Sequence, residues 1–226
     1  MTLPFRSRSA PSSRKRRQFL SRQKIVEAAA AILERDGYDA LNMRSIAAEL
    51  GVKATALYRY VDSREDLDDI LFDHLMLGCV PALEGEDWRA DLKAIAEAWR
   101  SRLLTRRDAT RIALAQVSIG PNLLPLMEAA LDVLRRSGLN DDDLIEAYQI
   151  HTLFVHSFAS SQATYRALQA RPNGLRYAPP APEWFEAYPI VSSVAERLTQ
   201  PVDFDKRFAF GLNALIAGIE RRVGAA

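Results

Sequence analysis

Gly51 stands between two short segments, MRSIAAEL (43–50) and ATALYRYV (54–61), each with the apolar spacing of a helix. Neither is long enough to be stable in water by itself, so each must be held by packing. Helices this short, joined by so brief a turn, cannot lie antiparallel in contact along their lengths and must cross steeply. The glycine supplies the backbone freedom for that turn. On a helix, Leu57 and Val61 share the inward side, whereas Ala54, Thr55, Tyr58 and Arg59 face out. Ile46, Ala47 and Leu50 form the packing side of the first segment.

The same periodicity continues in both directions. Ser21 is positioned to cap a helix whose Ile25, Ala28, Ala29, Ile32 and Leu33 fall on one face, and Gly37 closes it. Asn42 caps the segment before Gly51, and Ser63 caps REDLDDILFDHLMLG. Amphipathic patterns follow over 87–105, 108–117, 121–137, 141–169, 190–199 and 203–222. No useful length alternates with a period of two, so the expected fold class is all-α: an N-terminal three-helix helix-turn-helix domain and a C-terminal helical bundle. Residues 1–20, rich in Ser, Pro and Arg, read as a flexible basic arm, 21–67 as the helix-turn-helix domain and 68–226 as the second domain. SIGPN (118–122) and RSGLNDDD (136–143) read as turns, the acidic run as a helix start, and Arg171 to Pro189 as a proline-rich loop.

Charge divides the chain unevenly. Residues 1–64 hold 13 Lys+Arg and 6 Asp+Glu, a balance of +7, against 17 and 23, a balance of −6, in the remainder. The front therefore favours polyanions. One cysteine, Cys79, excludes an internal disulfide framework and reads as a small buried apolar group. Neither a secretory apolar region after the basic start nor a run of the roughly 18 apolar residues of a membrane span is found, so the expectation is cytoplasmic, with no membrane partner.

A steeply crossed helix pair places the amino-terminal end of its second helix in the DNA major groove. Thr55 and Tyr58 are then candidates for base edges or thymine methyls, with Ala54 and Arg59 on the same face. Arg44 is a candidate for a two-bonded guanine contact, and Lys53, Tyr60 and Arg64 are candidates for phosphates.

The run IVEAAAAILERDGYDALNMRSIAAELGVKATALYRYVDSREDLDDILFDHL resembles the DNA-binding domain of the tetracycline-repressor (TetR) family, through A-x-x-L-x-x-x-G, R-x-I-A-x-x-L-G-V and L-Y-x-Y-V over about residues 22–75. ALEGEDW (82–88), LLTRRDA (103–109) and FAFGLNALIAGIERR (208–222) resemble the tetracycline-repressor branch more thinly. The resemblance implies a helical ligand-binding and dimerisation domain. Ala113 and Ile95 stand where that branch has the histidine of its magnesium–tetracycline chelate and a drug-binding asparagine, which argues against tetracycline.

Trp99 aligns with an aromatic pocket residue of that branch and, with Leu103, Ile112, Gln116, Met127, Leu131, His151 and Phe154, forms the candidate ligand site. The set suits a largely apolar or aromatic small-molecule effector. Gly211, Ala214, Leu215 and Gly218 on the last helix are the candidate dimerisation contacts; packing of these glycines within the subunit is the alternative.

His74, His151 and His156 lack metal-ligand spacing, and the serines lack a nucleophile pattern, so neither an enzyme, a metal nor a cofactor is expected. The expected function is a homodimeric transcriptional regulator on double-stranded operator DNA, a repressor released by its effector, with the turn at Ser118–Asn122 relaying the change to the helix beginning near Ser63. The alternatives are an activator or a regulator controlled by a protein partner, and a nonspecific nucleic-acid-coating protein that relies on the basic arm.

Overall fold

The computed structural model describes residues 20–113, 118–171, 187–198 and 200–224. Among these the helices are α1 (Arg22–Asp36), α2 (Met43–Leu50), α3 (Ala54–Leu57), α4 (Arg64–Leu75), α5 (Trp88–Thr105), α6 (Ala109–Ala113), α7 (Leu124–Arg136), α8 (Asp141–Gln169), α9 (Pro189–Leu198) and α10 (Phe204–Gly224). A single 3₁₀ turn, Tyr38–Ala40, joins α1 to α2, and no strand occurs among the described residues. The chain is all-α, with a helix-turn-helix head and a helical body.

Local chemistry sets the helix ends. The Ser21 hydroxyl accepts from the Lys24 N–H at 3.3 Å. The Asn42 side chain accepts from the N–H groups of Arg44 and Ser45, each at 3.0 Å, while Ser45 Oγ accepts from the Asn42 N–H at 3.0 Å, a reciprocal capping box. Gly51 ends α2 at φ +65°, a left-handed conformation that costs a side-chain-bearing residue more. Ser63 caps α4 and Asn140 caps α8 through bonds of 3.1 and 2.9 Å to the third residue onward.

The second helix of the pair is shorter than its apolar spacing implies. Regular helix covers Ala54–Leu57, and Tyr58 to Tyr60 follow in a turn in which the N–H groups of Tyr60 and Val61 both donate to the Leu57 carbonyl. Ser63 must be extended to cap α4, so the chain leaves helical geometry within one turn of Leu57. Leu57 and Val61 are nonetheless fully buried, as their spacing requires.

One contiguous core runs from head to body. Ile25, Ala29, Ile32, Leu33, Ile46, Leu57 and Val61 close the head, and Leu67, Leu71 and Phe72 of α4 carry that core downward. In the body, Leu92, Ile95, Ala96, Trp99 and Leu103 recur along one face of α5, which packs against α7 and α8 while α10 lies on α8. The expected division at 67/68 falls inside α4, a helix common to both parts. Buried Arg100 on α5 donates to Gln162 Oε1 on α8 at 2.8 and 3.0 Å and to Asp205 on α10 at 2.6 Å, and lies 4.5 Å from the Phe208 ring centroid. This pins α10 to the bundle. Cys79 is buried, and burial pushes its thiol up.

The basic arm apart from Leu20, and the proline-rich stretch apart from its ends, lie outside the described residues. No helix of the described residues is long and apolar enough to cross a membrane.

Candidate nucleic-acid interface and cavity

Buried Leu57 and Val61 fix the outer surface of the turn between α2 and α4. Thr55, Tyr58, Arg59 and Tyr60 are exposed, Lys53 is exposed at the start of α3, and Ala54 is half-buried. Arg44 is exposed near the start of α2. Ion pairing separates this surface from the rest of the head: Arg22 pairs with Asp66, Arg35 with Asp36 and Glu49, and Arg64 with Asp68. Arg44, Lys53 and Arg59 enter no ion pair among the described residues. Among the described residues of the head, these three cations of the α2–α3 surface are placed to meet an external anion.

Arg64 differs from the other candidate DNA contacts. Its Nε donates to both Asp68 oxygens at 3.0 and 3.1 Å, its Nη1 donates to the Leu41 carbonyl, and its guanidinium lies 4.4 Å from the Tyr38 ring centroid. The Tyr38 hydroxyl donates to Asp68 at 2.7 Å; burial, then this bond, pushes the phenol up. Arg64 thus braces the 3₁₀ turn against α4.

Two clamps join head to body. In the first, Arg107 donates to the carbonyls of Glu34 and Arg35 at the end of α1, and Asp108 accepts from the Tyr38 N–H at 2.9 Å. Arg111 pairs with Asp39 at 2.8 Å and holds that carboxyl below its usual range. In the second, Asp73 of α4 accepts from the N–H groups of Asn122 and Leu123, both at 2.9 Å, and from Asn122 Nδ2 at 2.8 Å. Ser118 donates to Asp69 of the same helix at 2.6 Å. A Cβ on Gly120 would fall 2.2 Å from Asp73 Cγ, so only glycine lets the turn approach α4 this closely.

Behind this turn lies a cavity of about 200 Å³ lined by Trp99, Ser118, Ile119, Leu123, Tyr148, Thr152 and His156. Of the candidate ligand residues, Trp99 lines it and His151 stands against Trp99, with ring centroids 6.4 Å apart. Leu103 and Ile112 are buried in the core, and Met127 and Leu131 are half-buried on α7. Phe154 lies elsewhere, stacked on Phe208 at 5.2 Å and lining a hollow on the outside of α8. Gln116 lies outside the described residues.

Spacing on α8 could have supplied the missing wall, because Tyr148, Thr152 and His156 follow one another at four-residue intervals. His156 meets Trp99 edge-on at 4.9 Å and Phe72 of α4 edge-on at 5.9 Å. Burial pushes His156 down to about 4, and burial with the neighbouring His156, opposed by the Leu92 backbone, does the same to His151.

On α10, the close approach that Gly211 allows is to Phe154 of the same chain, since a Cβ there would meet its ring at 2.6 Å. Gly218 borders open space, Ala214 is exposed and Leu215 half-buried. Phe210 on α10 and Ile150 and Leu153 on α8 are exposed apolar side chains.

Residues 25–68 match the bacterial regulatory proteins of the tetR family, and residues 80–223 match the tetracyclin repressor-like C-terminal domain. The chain belongs to the TetR family. It is therefore a DNA-binding transcriptional regulator and not an enzyme. This TetR-family regulator is 34% identical over 218 residues to the HTH-type transcriptional repressor DrrR1 of Streptomyces coeruleorubidus, a match covering 89% of this chain and 77% of that one. Its fold is similar to apo ActR of Streptomyces coelicolor, with a TM-score of 0.76 and 31% identity over 92% of this chain and 98% of that one. ActR in complex with actinorhodin gives a TM-score of 0.75 and 30% identity, over 91% and 99%. Regulators of the TetR family bind operator DNA and small-molecule ligands and form dimers.

Proposed function

We propose that this regulator is a homodimeric repressor, released from an approximately palindromic operator by a largely apolar or aromatic small molecule bound in the body. One observation carries the reading: the turn from Ser118 to Leu123 is at once a wall of the cavity and the partner of two carboxylates on α4. At about 200 Å³ the cavity is smaller than the roughly 300–1,000 Å³ of ordinary ligand sites, so a bound molecule displaces its walls. A displaced turn pulls on Asp73 and Asp69, and α4 carries the pull into the head. The effector must prefer the displaced state, and operator DNA then weakens effector binding by the same factor.

Two heads bind successive major grooves about 34–36 Å apart. Thr55 and Tyr58 meet bases, Arg44 reads a guanine, and Lys53, Arg59 and Tyr60 meet the backbone; Arg64, braced on Asp68, supports the surface. The exposed apolar residues of α8 and α10, with Ala214, Leu215 and Gly218, pair with the second copy. The similarity to DrrR1, a repressor, and to ActR, solved with actinorhodin, supports the sign of control and the presence of a small-molecule effector.

Selection of bound duplexes from a random DNA pool at near-physiological salt tests the reading. The expected result is an enriched inverted repeat; binding without enrichment that collapses as salt rises overturns it. On the selected site, Arg44→Ala costs about 1–3 kcal/mol with specificity relaxed at one base position. An equal loss on every sequence would instead make Arg44 a phosphate contact.

A further inference from the structure

Five buried side-chain polar atoms have no hydrogen-bond partner among the described residues: Trp99 Nε1, both nitrogens of His151, His156 Nε2 and Ser160 Oγ; the Trp99 ring stands 4.9 Å from that of His156 and 6.4 Å from that of His151. All belong to α5 and α8. Trp99, His151 and His156 are each more than nine-tenths buried, and Trp99 and His156 line the cavity. A buried donor left unpaired costs about 1–3 kcal/mol, which a ligand that pairs it recovers.

We propose that the effector is an uncharged ring compound with a carbonyl beside a hydroxyl, bound along that edge by Trp99 Nε1 and His156 Nε2. This rests on the ligand-released reading above and specifies the chemistry of its ligand. An indole nitrogen only donates, so it requires an acceptor such as a carbonyl oxygen. A neutral imidazole nitrogen donates or accepts according to its tautomer, and a hydroxyl satisfies either. The two groups sit one ring's width apart, their centroids 4.9 Å from each other and their planes at 87°. That calls for adjacent polar atoms on a single flat frame.

The lining sets the charge of the ligand. Among the described residues, no Lys, Arg, Asp or Glu lines the cavity. Burial keeps both histidines neutral at physiological pH. A carboxylate or phosphate would therefore enter without a counter-charge and lose its hydration unrepaid. His156 also touches Phe72 of α4, so the atom that reads the effector sits on a ring that abuts the helix leading to the head.

The test compares three probes on one frame, using the full-length protein: hydroxyacetonaphthone with its hydroxyl beside the carbonyl, naphthalene, and naphthoate. Hydroxyacetonaphthone binds at least about tenfold tighter than either of the others. His156→Phe and Trp99→Phe keep a ring but lose the nitrogen; each weakens hydroxyacetonaphthone about tenfold and leaves naphthalene within about twofold. If the variants do not fold, the order of the three probes on the unaltered protein decides. Equal or tighter binding of naphthalene or naphthoate, no binding of hydroxyacetonaphthone, or full affinity in both folded variants overturns the proposal. Hydroxyacetonaphthone bound as expected without operator release would sink the ligand-release reading and leave this one standing. Release by naphthalene as readily as by hydroxyacetonaphthone would do the reverse.

Discussion

The head and the body of this regulator treat buried polarity in opposite ways. In the head, buried Asp68 takes hydrogen bonds from both Tyr38 and Arg64, and Arg44, Lys53 and Arg59, which enter no ion pair among the described residues, stand on the outside, around α2 and α3. In the body the unpartnered polar atoms are inside, on the seam between α5 and α8. The body is not loosely built throughout: Asp91 accepts from Arg136 at 2.7 Å and from the N–H groups of Glu84 and Gly85 at 3.1 Å. Among the described residues, every unpartnered buried side-chain polar atom belongs to α5 or α8. A part that works from its surface can satisfy its interior completely, whereas a part that works from its interior must leave something there to satisfy.

Perturbing each part separately sharpens the contrast. The largest effect is expected from Leu57→Ala, which empties a fully buried position beneath a one-turn helix and lowers stability by about 2–5 kcal/mol in thermal unfolding. A smaller loss would mean that the head collapses around the gap and is less rigid than its packing implies. Acid addresses the body. His151 and His156, pushed down to about 4, take a proton at about 6.5 once unfolded. Their stability contribution is therefore complete above about pH 6.5 and disappears as the pH falls toward 4, a loss of a few kcal/mol in all. Asp91 and Asp143, held low by Arg136 and Arg222, give up theirs only below the usual carboxylate range. In a pH series of unfolding curves, His156→Phe flattens the upper window alone.

Asp73→Asn tests the connection between the parts: one acceptor oxygen is lost at the cap of Asn122 and Leu123, at a cost of about 1–2 kcal/mol. The operator-release curve of this variant flattens more than its operator affinity falls. Tyr38→Phe is the mildest, removing one bond to Asp68 for about 1 kcal/mol, with DNA binding largely kept.

Much of this was legible in the sequence because helix ends are written in single residues. Ser21, Asn42 and Ser63 cap where their spacing from the apolar runs places them, and α8 spans the expected 141–169. The cavity was less legible. Its walls come from α5, α8 and a turn, and apolar periodicity says which side of a helix is buried without saying what it is buried against. Phe154 and His151 both follow the core spacing of α8, yet one meets α10 and the other meets α5. Arg64 was hidden for a related reason: its partner Asp68 is visible at i+4, but its brace on Tyr38 depends on the fold.

The double duty of the turn from Ser118 to Leu123 governs how this regulator can be altered. Ile119 and Leu123 line the cavity while the backbone of Asn122 and Leu123 holds α4, so under the proposed ligand release a change there made to admit a new molecule also resets how strongly any molecule acts on the head. The Tyr148–Thr152–His156 stripe forms the facing wall, and within it the His156 ring meets α4 at Phe72. Tyr148 and Thr152 are accordingly the positions at which selectivity can drift while responsiveness stays constant, and variation among regulators that share this arrangement should accumulate there first.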